Sequence, residues 1–155
     1  MCVQLKQKYG LYINGQWRNA SDGRTFETTT PSTGQHLAYC AEATKEDVDD
    51  AVKAAWNAFP AWKKISPIER ADILLKIADR IDANKELLAK AESLDNGKPI
   101  RETMAIDVPY SSDHFRYFAG AIRTEEGSAS VLDGNMLSLI LHEPIGVVGQ
   151  IVPWN

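Results

Sequence analysis

Glu143-Pro144-Ile145-Gly146-Val147-Val148-Gly149-Gln150-Ile151-Val152-Pro153-Trp154-Asn155 is the stretch whose reading decides the fold class. Residues 147–152 are almost continuously apolar, and such a run suits a strand covered on both faces, as in the parallel sheets of α/β proteins. A strand of that kind needs neighbours on both edges, and the residues before it offer few strands to pair with it. The chain therefore reads as the front part of a larger α/β protein. Asn155 follows the run and a Pro-Trp pair, at the carboxyl end of the strand, where ligands gather in open α/β sheets. Two readings of Asn155 stand side by side. Spacing alone favours an ordinary turn residue; the other is a side-chain amide donating to a developing oxyanion.

Working back from that strand, Asp133-Gly134-Asn135 separates apolar residues 131–132 from 136–141, a hairpin signal. Residues 44–127 read as helices. Thr44 caps the first, with Asp47 as its capping-box partner, and Val48, Ala51, Val52, Ala55 and Phe59 form its apolar face. Pro60 is expected to end it. Ser66-Pro67-Ile68-Glu69 is a stronger start: Ser66 caps, Pro67 needs no N–H partner, and Glu69 reaches back. Leu74, Ile77, Ala78 and Ile81 are the stripe expected to face the core. The pattern continues through Leu87, Leu88, Ala91 and Leu94 to a stop at Asn96-Gly97, with Pro99 beyond. Periodicity leaves a break at Asn84 open. Residues 103–106 look helical, Pro109 should kink the chain, and Phe115, Phe118, Ala119 and Ile122 resume the stripe. At the other end, residues 11–13 and 16–18 flank Asn14-Gly15, a pair that accepts positive φ at both turn positions and so marks a type I′ hairpin. Residues 25–28 and 36–41 are further strands around the Pro31–Gly34 turn.

The composition is that of an ordinary globular chain: 155 residues, 44% hydrophobic and 25% charged, which argues against disorder. Seventeen Lys and Arg stand against 21 Asp and Glu, for a net charge of −4. With no basic block, a nucleic-acid surface is excluded. No apolar run approaches the ~18 residues that span a bilayer, and residues 1–10 have no signal-peptide core. The two cysteines, Cys2 and Cys40, have no metal or redox spacing, which fits a reducing cytoplasm.

Few residues announce chemistry. His36, His114 and His142 have no metal-ligand spacing and read as surface or packing residues. Cys40 lies in a strand and reads as a small buried hydrophobe. The carboxylates read as solvated helix faces. Gly146 and Gly149 precede a strand and so do not make a phosphate loop.

The chain nevertheless resembles the N-terminal part of the NAD(P)-dependent aldehyde dehydrogenase superfamily. The resemblance is carried, in order, by Leu11-Tyr12-Ile13-Asn14-Gly15-Gln16-Trp17, Pro31-Ser32-Thr33-Gly34, Ala43-Thr44-Lys45-Glu46-Asp47-Val48, Glu69-Arg70-Ala71, Leu94-Asp95-Asn96-Gly97-Lys98-Pro99, Phe115-Arg116-Tyr117-Phe118-Ala119-Gly120 and the stretch from Glu143 to Asn155. The Leu94–Pro99 stretch looks most like the betaine-aldehyde and retinal-type branch. The implied fold is the N-terminal part of the aldehyde dehydrogenase fold, with strand hairpins around a helical middle, ending at the first strand of a Rossmann-like cofactor sheet. The implied organisation is 1–123 as the beginning of the cofactor-binding domain, 124–145 as an oligomerisation arm, and 146–155 as the first core strand.

The resemblance also implies roles. Asn155 matches the oxyanion-stabilising Asn. Ile151, Val152, Pro153 and Trp154 match the strand end that lines the NAD or NADP site. Asp95 and Thr29 match the carboxylate and a carbonyl donor of a monovalent-cation site, a choice of ligand that suits a hard cation. The family oxidises a small aldehyde to a carboxylic acid as a homo-oligomer, without nucleic acid or membrane. Its nucleophilic Cys, general-base Glu, ribose-contacting Lys and pyrophosphate loop match nothing here, and neither Cys2 nor Cys40 matches the nucleophile. The chain alone is thus expected to be inactive and to self-associate through its unpaired strands. The alternative expectation is a non-catalytic module that associates with aldehyde dehydrogenase subunits.

Overall fold

The computed structural model describes residues 5–152. Five strands come first: β1 (Lys8–Tyr9), β2 (Leu11–Ile13), β3 (Gln16–Arg18), β4 (Thr25–Thr29) and β5 (His36–Ala41). Helices follow: α1 (Lys45–Trp62), α2 (Pro67–Ala83), α3 (Lys85–Asn96), the single turn α4 (Ile100–Glu102), a π-helical segment (Thr103–Asp107) and α5 (Val108–Ala121). The strands β6 (Ser128–Asp133) and β7 (Met136–Ile140) come last.

The strands form separate small sheets. β2 and β3 are the expected hairpin, with Asn14 at φ 51° and Gly15 at φ 76°. β4 and β5 pair antiparallel around the Pro31–Gly34 turn, with an irregularity between Thr28 and Thr29. β1 joins the other edge of β5 in parallel, Lys8 opposite Tyr39 and Tyr9 opposite Cys40. Residues 8 and 9 give no period-two pattern from which the sequence reveals this strand. β6 and β7 form a ribbon by themselves.

The helix boundaries follow from local chemistry. Thr44 and Asp47 form a full capping box, as do Ser66 and Glu69, with Pro67 in the first turn of α2. Gly97 ends α3 in the left-handed region at φ 80°. Asn84 breaks α2 from α3 and folds its side-chain amide onto the Arg80 carbonyl at 2.8 Å. Pro60 corrects its expectation: α1 runs through it to Trp62. Pro60 forfeits only its own bond to the carbonyl of Trp56, and the ladder resumes beyond it, with Lys63 N–H reaching the Phe59 carbonyl at 2.9 Å. Pro109 takes effect upstream, because it has no N–H to continue the ladder. The chain adopts a wider turn just before it, and Val108 N–H bonds to the Thr103 carbonyl five residues back.

The core is built of small side chains. Ala71 and Ala78 on α2, Ala89 on α3, Val108, Ser112 and Ala119 on α5, and Thr103 between them are buried. α2 and α5 share the most extensive contact between helices. Small residues along the seam let two helices approach closely. Polar groups tie its edge. Arg116 reaches Asp79 and Asp82, each at 2.8 Å. The Ser112 hydroxyl, aided by Arg116, holds the Asp82 carboxyl below its usual range. Thr103 Oγ1–H donates to the Ala89 carbonyl at 2.9 Å, fastening the π segment to α3.

This core differs from the expected stripes. On α2 the inward line is Ala71, Leu74, Ala78 and Ile81, while Ile77 is exposed. On α1, Val48 and Val52 face out, and Asp47 is the buried residue. On α3, Ala89 is buried and Leu87 and Leu88 lie at the surface; on α5, Phe118 is exposed. Period counting weights large side chains, whereas closely approaching helices bury small ones and leave the large ones at the rims.

The last difference concerns residues 147–152. Among the described residues they pair with no strand, and Val148, Ile151 and Val152 are exposed. A strand meant for burial needs hydrogen-bonded neighbours on both edges, and neither small sheet nor ribbon reaches this segment.

Candidate functional site

The structure builds one polar corner from residues that the sequence singled out. β4 ends at Thr29, and the next residue, Thr30, is buried. Its carbonyl accepts from Gly34 N–H at 2.8 Å and its N–H donates to the Gln35 carbonyl at 2.9 Å, which closes the turn. The C-terminal end of α3 lands on this turn. A Cβ added at Gly97 would stand 2.9 Å from Pro31 Cγ. The end is trussed by Ser93 Oγ–H to the Lys98 carbonyl at 2.6 Å and Lys98 N–H to Asn96 Oδ1 at 2.8 Å. The result sets Asp95 beside the end of β4, where Thr28 Oγ1–H donates to Asp95 Oδ1 at 3.2 Å.

Asp95 and Thr28, 67 residues apart, are therefore brought together, and Thr29 is the next residue along β4. Thr28 was not singled out by the sequence reading. The only sequence signal for it was its place one residue before Thr29. The corner opens on a cleft of about 600 Å³ between β4–β5 and helices α2, α3 and α5, lined by Thr28, Cys40, Ile81, Leu88, Asp95 and Val108 among others. Burial pushes the Cys40 thiol above its usual range, and the Asp95 charge adds to the effect. Cys40 is thus protonated at neutral pH; it lies in β5 as expected but is half-buried against the cleft rather than fully buried.

Other singled-out residues stand apart. Ile151 and Val152 lie exposed on the extended tail, and Pro153, Trp154 and Asn155 lie outside the described residues, as does Cys2. The histidines occupy separate sites: His36 Nδ1 is 2.8 Å from Glu27, His114 Nδ1 is 2.9 Å from the Tyr110 carbonyl, and His142 is 3.5 Å from Glu125. Among the described residues no three His, Cys, Asp or Glu side chains cluster as metal ligands. No helix there is long and apolar enough to cross a membrane.

A second polar cluster was missed. Asp47 is 1% exposed as a side chain and accepts from Arg18 Nη2 at 3.0 Å, Ser21 N–H at 3.1 Å and Thr44 N–H at 2.9 Å. The backbone N–H groups of Thr44 and Ser21, foremost, hold its pKa at about 2. It locks the segment after β3 onto the start of α1. The capping-box spacing announced the Thr44 half of this cluster; the Arg18 and Ser21 half is long-range.

Comparison with known proteins gives the family of the chain. The aldehyde dehydrogenase family model matches residues 17–155. Acetaldehyde dehydrogenase 2 of Cupriavidus necator is 53% identical over 150 residues, covering 97% of this chain and 30% of that protein. An aldehyde dehydrogenase of Deinococcus radiodurans is 50% identical over 153 residues, again covering 30% of its length. Among solved structures, an NAD+ complex of aldehyde dehydrogenase from Bacillus cereus superposes with a TM-score of 0.92 at 39% identity, covering 98% of this chain and 33% of that one. The chain spans about 30% of the length of the curated relatives it matches. The match includes the mixed strand and helix arrangement and the N-terminal position that the sequence motifs implied, and the chain belongs to the aldehyde dehydrogenase family.

Proposed function

We propose that this chain is the N-terminal portion of an NAD(P)-dependent aldehyde dehydrogenase that oxidises a small aldehyde to a carboxylic acid, and that it is inactive by itself. The observation that carries this reading is the likeness, over 98% of the chain, to an aldehyde dehydrogenase solved with NAD+. In this reading residues 1–123 begin the cofactor-binding domain, 124–145 are the arm through which subunits of a homo-oligomer associate, and 146–155 enter the cofactor sheet. NAD(P) supplies the hydride acceptor when bound. Ile151, Val152, Pro153 and Trp154 line its site from the strand end, and the Asn155 amide donates to the oxyanion. A pre-aimed donor of that kind is worth about 3 kcal/mol. The described residues fit this assignment only in part, because residues 151 and 152 stand exposed outside any sheet. The described residues alone therefore present no formed dinucleotide site.

The same reading gives the Asp95 carboxylate and the Thr29 carbonyl a monovalent cation. Its support is the Thr28–Asp95 hydrogen bond, which sets the Asp95 carboxylate, a hard oxygen donor, beside the end of β4, one residue from Thr29. A cytoplasmic location goes with the reading, in keeping with the free Cys40 thiol.

The test is calorimetry with NAD and NADP on the pure 155-residue chain, run beside an assay for NADH production. The expected result is no saturable binding at micromolar concentrations and no turnover. Micromolar affinity, or NADH above blank, overturns the claim of inactivity. A reading frame that continues past Asn155 supports the enzyme portion. A stop codon there favours a module that joins other subunits through the exposed β6–β7 ribbon.

A further inference from the structure

We draw no further inference here: the strongest candidate, the apolar cleft between β4–β5 and helices α2, α3 and α5 with Glu92 and Asp95 at its rim, carries nothing because nothing in the structure shows what covers it.

Discussion

Asp47 shows how one carboxylate joins two parts of the chain. Its oxygens receive N–H groups from Thr44 and Ser21 and the Arg18 guanidinium. Its pKa falls from an ordinary 3.8 to about 2. A folded-state pKa below the unfolded one means stability that is fully present above about pH 4 and is lost as pH falls from there toward 2. Urea midpoints of the wild type should therefore drop between pH 4 and pH 2. Asp47→Asn should lower the midpoint at pH 7 and flatten that acid dependence; an unchanged acid slope in the variant would remove Asp47 as its source. Gly97 is the second residue under strain-sensitive control. Any side chain there must adopt φ 80° and meet Pro31. Gly97→Ala should cost roughly 1–2 kcal/mol from the left-handed conformation alone, read as a lower denaturant midpoint. Both residues were half legible. The capping motif flagged Asp47 and the Asn-Gly-Lys-Pro stretch flagged Gly97, but the partners Arg18, Ser21 and Pro31 are distant in sequence. Only the tertiary fold supplies them.

At the scale of elements, the caps, the hairpins and the Gly97 stop were readable because each is encoded within a few residues. Inward faces were less so. The α2–α5 seam closes on alanines, and alanine carries little weight in a hydrophobic pattern. Ala78, fully buried on α2, is the position where this matters. Ala78→Leu should force the helices apart and cost about 1–3 kcal/mol, whereas Ile77→Ala, at an exposed site, should cost less than Ala78→Leu. Equal losses in thermal unfolding would contradict the seam as described. The β6–β7 ribbon is a different case. Val131 stands opposite Leu137 and Ala129 opposite Leu139, so these side chains share one face. Val131, Leu137 and Leu139 are 60–75% exposed. A two-stranded ribbon is marginal alone, and an apolar face of this kind recruits other surfaces. Light scattering of the chain should show association that Leu137→Lys reduces. If Val148→Lys reduces it instead, the contact lies on the tail.

For the whole molecule, family and architecture were legible because several short motifs recur in a fixed order, a property that survives the weakness of each. Of the corner between β4 and α3, the motifs singled out Asp95, while its hydrogen-bond partner Thr28 came only from the fold. The expectation of a buried strand at residues 147–152 is not met, since Val148, Ile151 and Val152 are exposed and the run pairs with no strand among the described residues; an apolar composition cannot provide the neighbouring strands that turn such a run into a ladder. Sheet and helices also divide the chain cleanly. β1, β4 and β5 all lie within residues 8–41, while the α2–α5 seam joins residues 67–121. β1 nevertheless pairs with β5 across some 30 positions, Tyr9 to Cys40. During synthesis the first strand must therefore wait for the fifth. All three strands of the sheet are available to pair only once residue 41 has left the ribosome, while most of the seam is still to be made. At a synthesis rate of about 5–20 residues per second, the 80 residues from 42 to 121, where the seam ends, take several seconds more to appear. Over that interval β1 has its partner within reach, and the face of the sheet that lines the cleft stands open to chaperones until α2, α3 and α5 arrive to form the far wall.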